Sequence, residues 1–245
     1  MSASELDRVR TRLTSWATAD PDVTGVALTG SLATGHADHW SDLDLVLGLS
    51  TSPESVALEW TTRLTSEFGV LHHWDLPTPD ERVVRVHLLG NGVEADVSFL
   101  PESAFGARGT QWKLLHGRER ELQPFPGPDP RVLVGLAWHH ARHARVCVER
   151  GRLWQAEHWI GALRTQVISL ACLRLGLPTD YAKGAHLLPT SLAEALESTL
   201  VRALVADEVL RALGALVPLF LDELLLSDPD TAERLAPTLY RWAHR

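Results

Sequence analysis

A proline-rich segment near the middle of the chain divides the sequence into two parts of different character. Residues 123–130 read QPFPGPDP, with four prolines in eight positions, and neither a helix nor a strand continues through such a run. Short β-like runs alternate with helical ones before it, and only helical runs follow it. We therefore predict an α+β protein with two domains, at 1–122 and 131–245, joined by a linker at 123–130.

The first part has the pattern of a mixed β-sheet flanked by helices. Residues 23–28 and 42–49 are apolar runs of strand length. Residues 83–89 and 93–100 are two more such runs, and the glycine-rich sequence between them predicts a β-hairpin. No clean alternation of strand and helix is visible, so we expect a mixed sheet and not a parallel one.

The second part has the pattern of a helical bundle. Residues 131–150 and 152–175 are two long helical runs, and Gly151 between them predicts the break. The two cysteines of the chain, Cys147 and Cys172, lie in these runs. Two cysteines are too few for a disulfide framework, and we predict that both are reduced core thiols.

The charge of the chain excludes some classes of partner. Its 245 residues include 23 Lys and Arg against 31 Asp and Glu, a formal net charge of −8. An acidic chain is unsuited to following a nucleic-acid backbone. The first residues carry charges where a secretion signal needs an apolar run, and no apolar stretch reaches the roughly 18 residues of a membrane span. We expect a cytoplasmic protein that binds neither nucleic acid nor membrane.

Two short motifs in the first part point to phosphate and metal chemistry. Gly30-Ser31 follows a predicted strand, where glycine lets the backbone bend towards a ligand and offers N–H groups and a hydroxyl to phosphate oxygens. Asp42 and Asp44 are two apart in the next strand, so we expect both carboxylates on one face. No Lys or Arg occurs in 31–49 to neutralise them. A divalent cation, Mg²⁺ carrying nucleotide phosphates, would do so.

A third carboxylate lies in a later strand. Alternation over 93–99 puts the apolar residues on one face and Glu94, Asp96 and Ser98 on the other. If this strand pairs beside 42–49, Asp96 can complete a metal site or accept a proton from an attacking hydroxyl. The alternative is that Gly30-Ser31 forms an ordinary turn and that Asp42 and Asp44 lie on the solvent-exposed face of a strand.

The order Gly30-Ser31, ten residues, Asp42-x-Asp44 and a later strand carboxylate, Asp96, resembles the nucleotidyltransferase superfamily related to DNA polymerase β. A helical second domain after a proline-rich boundary is similar to the two-domain aminoglycoside and lincosamide nucleotidyltransferases. The resemblance implies that AMP passes from ATP, the co-substrate, to a hydroxyl, with release of pyrophosphate. It also implies two Mg²⁺ ions at the three aspartates and nucleotide binding by Gly30 and Ser31.

Two residues of the helical part are assigned by the same resemblance. Glu157 is the candidate general base, with Asp96 as the alternative, and an ordinary ion pair to a nearby Arg is an equally good interpretation of Glu157. Lys183, the only lysine of the second part, is the candidate ligand of the distal phosphates. His139 and His143 have the i, i+4 spacing of a helical zinc site. Because no third ligand is apparent, we interpret them as an ordinary histidine pair.

The predicted acceptor is a small hydroxylated molecule. An aminoglycoside-type antibiotic fits, because a cation suits an acidic protein, and the chain would then confer antibiotic resistance. The alternatives are AMPylation of a protein, as in toxin–antitoxin systems, and a nucleotide-binding regulator without catalysis. The sequence does not fix the acceptor, the preferred nucleotide or the oligomeric state.

Overall fold

A computed structural model describes residues 3–78 and 81–244 of the chain. The chain divides into two compact units, Met1–Phe125 and Pro126–Arg245. The division falls inside the proline-rich segment. The first unit carries a mixed sheet with helices and the second carries helices without strands in the described residues, so the predicted α+β architecture is confirmed. The catalytic and substrate-binding roles assigned to the two parts stay predictions.

The first unit begins with alternating helices and strands and continues from β3 to β6 with strands and one 3₁₀ turn. Its helices are α1 (Ala3–Ala19), α2 (Gly30–Thr34) and α3 (Pro53–Phe68). Its strands are β1 (Val23–Thr29), β2 (Leu43–Leu49), β3 (Val70–Leu76), β4 (Val83–Leu89), β5 (Glu94–Pro101) and β6 (Trp112–Gly117). Short 3₁₀ turns occur as well, including Glu102–Ala104 after β5.

The strands form one sheet in the order β3-β4-β5-β2-β1-β6. β2 and β5 are parallel, and the remaining neighbours are antiparallel, including the predicted β4–β5 hairpin. The two edge strands, β3 and β6, are absent from the sequence prediction. Both are mostly exposed, so their sequences lack the alternation of buried and polar residues by which a strand is recognised.

Helices α1 and α3 cover one face of the sheet. Leu43, Leu45 and Leu47 of β2 pack with Leu13 of α1 and Trp60 of α3 in one buried cluster. Successive side chains of a strand point to opposite faces. The intervening residues of β2 therefore lie on the face that α1 and α3 do not cover.

The second unit is a helical bundle around its own apolar core. Its helices are α4 (Pro130–Glu149), α5 (Leu153–Leu175), α6 (Thr190–Glu197), α7 (Ala206–Leu225) and α8 (Pro229–Ala243). Cys147 and Cys172 are free and buried in that core, as predicted. In the described part of the chain, none of the helices is both long enough and apolar enough to cross a membrane.

Candidate active site

The site is built at the junction of β1 and α2. Gly30 follows the strand with a φ of 63°, a conformation that glycine adopts freely and other residues avoid. A Cβ placed on Gly30 would collide with Oδ2 of Asp44. The glycine therefore meets two requirements at once, the left-handed turn and the close approach of the Asp44 carboxylate. Ser31 follows as a half-buried residue, and its hydroxyl makes no hydrogen bond to the described residues.

Three carboxylates meet beside this turn. β2 begins at Leu43, one residue later than predicted, so Asp42 immediately precedes the strand and Asp44 is its second residue. In the parallel β2–β5 pair, Asp44 lies directly opposite Asp96. One oxygen from each of Asp42, Asp44 and Asp96 lies within 4.8 Å of the others, and all three residues are half-buried. Among residues 3–78 and 81–244, no other His, Cys, Asp or Glu group of three is arranged this way.

The electrostatics of the cluster favour a cation. Burial in the first place, and then the neighbouring carboxylates of Asp44, Glu94 and Asp42 in that order, together raise the pKa of Asp96 to about 7. Oδ1 of Asp96 is buried and has no hydrogen-bond partner in the described residues. A divalent cation would satisfy this oxygen and neutralise the mutual repulsion. Oxygen ligands are those that Mg²⁺ prefers, so the residues fit the metal that the resemblance implies.

A hollow of about 390 Å³ adjoins the carboxylates on the same face of the sheet. Val46 and Ser98, which are cross-strand partners, form part of its floor. They follow Asp44 and Asp96 by two residues, a distance of roughly 7 Å along each strand. Thr29, the residue before Gly30, also lines it. A ligand bound at the carboxylates can therefore extend into the hollow.

The wall of the hollow is basic and aromatic. The guanidinium carbons of Arg82 and Arg108 lie 5.3 and 4.5 Å from the ring centroid of Phe125, within the range of a cation–π contact. Arg108 also donates from Nη1 to the carbonyl of Gln123 at 2.8 Å. The indole of Trp112 lines the same hollow. Guanidinium groups beside aromatic rings suit an anionic ligand that also carries a flat ring.

Arg108 and Phe125 are distant in sequence from the Gly-Ser and Asp-x-Asp motifs. In the structure, Arg85 is buried on the opposite face of the sheet, where its Nε and Nη2 donate to the Asp75 carboxylate at 2.6 and 2.8 Å. Arg108 lies in the loop between the 3₁₀ turn Glu102–Ala104 and β6. Strand alternation therefore gives no signal for its position, which depends on side-chain packing.

Glu157 and Lys183 lie in the other compact unit, so they are described separately from the carboxylates. Glu157 is half-buried on α5, and its charge acts on Arg164, whose pKa is lowered chiefly by burial. Lys183 is exposed and follows a 3₁₀ turn in which Tyr181 and Ala182 both have positive φ, 51° and 58°. Such strained residues are uncommon outside functional segments. The roles assigned to Glu157 and Lys183 stay predictions.

The solved structures that are similar to this chain include the two described here. An aminoglycoside 6-adenyltransferase from Bacillus subtilis is 13% identical, with 95% of this chain and 96% of that chain covered, at a TM-score of 0.43. A nucleotidyltransferase-like protein from Exiguobacterium sibiricum is 15% identical, with 93% and 78% covered, at a TM-score of 0.40. No family model and no curated protein matches the sequence.

Proposed function

We propose that the chain is a metal-dependent nucleotidyltransferase that moves AMP from ATP to a hydroxyl group of a small molecule. The convergence of Asp42, Asp44 and Asp96 within 4.8 Å supports this most directly. Displacement at a phosphorus builds charge on the attacking and leaving oxygens. Mg²⁺ held by these three carboxylates would neutralise that charge when bound.

The chain's own groups then position the reactants. The Gly30 turn and the Ser31 hydroxyl, close to Asp44, would bind phosphate oxygens of the nucleotide. Asp96 is the favoured acceptor of the hydroxyl proton because it belongs to the carboxylate cluster, and Glu157 is the alternative. Lys183 would bind the distal phosphates. Attack of the substrate hydroxyl forms one P–O bond, breaks the bond to the leaving phosphate and releases pyrophosphate.

We assign the hollow beside the carboxylates to the nucleotide. Arg82 and Arg108 supply positive charge there, which suits a phosphate-bearing ligand and disfavours a cation. Trp112 supplies an aromatic ring on which a nucleobase can stack. The hollow of about 390 Å³ is of the size of small-ligand pockets.

The acceptor that we propose is an aminoglycoside-type antibiotic or another small, cationic, hydroxylated molecule. The net charge of −8 favours encounter with a cation. A role in antibiotic resistance and a cytoplasmic location would follow from such an acceptor, and both remain part of the proposal.

The test is mass spectrometry of aminoglycoside and lincosamide panels incubated with the protein, ATP and Mg²⁺, together with an assay for pyrophosphate. We expect a product heavier by one AMP and an equal amount of pyrophosphate. Asp42→Asn and Asp44→Asn should abolish both signals, whereas Asp22→Asn, an exposed carboxylate at the far end of β1, should retain them.

Other outcomes lead to the alternatives. AMP attached to protein, with no modified small molecule, would favour the AMPylation of a protein target. Saturable ATP binding without pyrophosphate under any condition would favour a regulator. Full activity of Asp44→Asn would contradict the metal site itself.

A further inference from the structure

A group of histidines in the helical unit has no part in the proposed reaction. His139, His140 and His143 of α4 and His158 of α5 all contact the indole of Trp159, with ring centroids 5.0 to 6.1 Å from it. His140 is buried, whereas His139 and His158 are exposed.

Two of the four have their nitrogens in the positions of metal ligands. Nε2 of His139 and Nε2 of His143 are 3.1 Å apart. Imidazole nitrogens bind Zn²⁺ at about 2.0–2.1 Å, and two such bonds with their nitrogens at this separation enclose an angle of about 100°. This angle lies between the octahedral and the tetrahedral values. The separation of the two nitrogens is therefore compatible with one ion bound to both rings.

We propose that His139 and His143 form a binding site for a borderline divalent transition-metal ion such as Zn²⁺. Imidazole nitrogen suits Zn²⁺, Ni²⁺ and Cu²⁺, whereas carboxylate oxygen suits Mg²⁺. The site thus differs in chemistry from the carboxylate cluster of the first unit. No third His, Cys, Asp or Glu joins the pair in the described residues, so water or an added ligand completes the coordination.

The groups around His139 and His143 restrict the rings and influence their charge. The Trp159 ring lies 5.1 Å from the His143 ring, on the side where α4 packs against α5, and this contact restricts the imidazole. Burial lowers the pKa of His143, and the charges of His139, Arg142 and Arg150 lower it further. The lowered pKa favours the neutral ring, which is the form that binds metal. The two arginines oppose a dication only weakly, because water and salt screen exposed charges.

The ion-free pair can be held by one hydrogen bond, since a neutral Nε2–H can donate to the other Nε2. Metal binding then requires the donor ring to carry its proton on Nδ1 instead. That tautomer is also neutral, so no charge has to be created to fill the site. The close approach of the two nitrogens is thus compatible with both states, and a binding measurement distinguishes them.

The experiment is calorimetric titration of the full chain with Zn²⁺ in excess Mg²⁺, which occupies the carboxylate cluster. We expect one Zn²⁺ per chain. His139→Ala and His143→Ala should each weaken binding at least about tenfold, since even the loss of a second-shell partner costs 10–100-fold. His158→Ala is the matched control, an exposed histidine against the same indole, and Asp96→Asn excludes the carboxylate cluster. Both controls should bind as the wild type does.

Circular dichroism and thermal unfolding without metal establish that each variant folds. The addition of Zn²⁺ should raise the unfolding temperature of the wild type and of both controls, and leave that of His139→Ala and His143→Ala unchanged. Absence of saturable binding to the wild type would overturn the proposal. Equal Zn²⁺ affinity in the wild type and the two paired-histidine variants would do the same, and neither result bears on nucleotidyl transfer.

Discussion

Substitution of Gly30 by alanine gives the sharpest test of how the site is built. Gly30 has a φ of 63°, and for an L-residue the left-handed conformation costs roughly 1–2 kcal/mol. The new methyl group would also collide with Oδ2 of Asp44. The variant should therefore lose stability and, in addition, displace the Asp44 carboxylate from the cluster.

Gly35 offers a matched control, because it ends the same short helix with a φ of 75° and a Cβ added there meets no atom within 4 Å. Gly35→Ala should lose the same roughly 1–2 kcal/mol of stability for the backbone alone. It should keep the carboxylate geometry, since it carries the strain without the collision. The two variants thus separate the cost of the turn from the cost of moving Asp44.

The assays are urea denaturation for stability and the rate of pyrophosphate release for activity. We expect both variants to lose stability, Gly30→Ala at least as much as Gly35→Ala. Activity should fall about 100-fold in Gly30→Ala, as a displacement of about 1 Å at a reacting centre can cause, and change little in Gly35→Ala. An equal loss of activity in the two variants, or full activity in Gly30→Ala, would refute the account of Gly30.

Three further predictions concern other parts of the chain. Arg108→Ala should raise the KM for ATP several-fold and leave that of the acceptor unchanged, as measured by initial rates; the opposite pattern would assign the hollow to the acceptor. Burial lowers the pKa of His87 to about 4, so the unfolded chain binds more protons at this residue between pH 6.5 and 4, and the contribution of His87 to stability should fall by about 2 kcal/mol from pH 7 to 5. In urea denaturation, the stability of His87→Gln relative to the wild type should rise by that amount between pH 7 and pH 5, and an unchanged difference would contradict it. Arg174→Met would leave the buried Glu223 carboxylate without its two 2.8 Å hydrogen bonds and should cost about 3 kcal/mol in the same assay.

The sequence by itself determined the features that depend on neighbouring residues. The prolines of 123–130 end regular structure locally, and the described chain divides within that segment. Gly30 is required by a local turn, and alternation along two strands correctly put Asp44 and Asp96 on the face opposite the apolar residues. These signals are short-range, so the α+β architecture and the faces on which the carboxylates lie could be predicted from the sequence.

Only the tertiary structure decided what depends on pairing between distant segments. The register that sets Asp44 opposite Asp96 joins strands about fifty residues apart, and a shift of one residue would turn every side chain to the other face. The pairing of β3 with β4 sets Arg85 opposite Asp75, and the packing of the loop before β6 places Arg108 beside Phe125 in the hollow. Strand pairing and side-chain packing have no local sequence signature, because the partner strands and the contacting side chains come from distant parts of the chain.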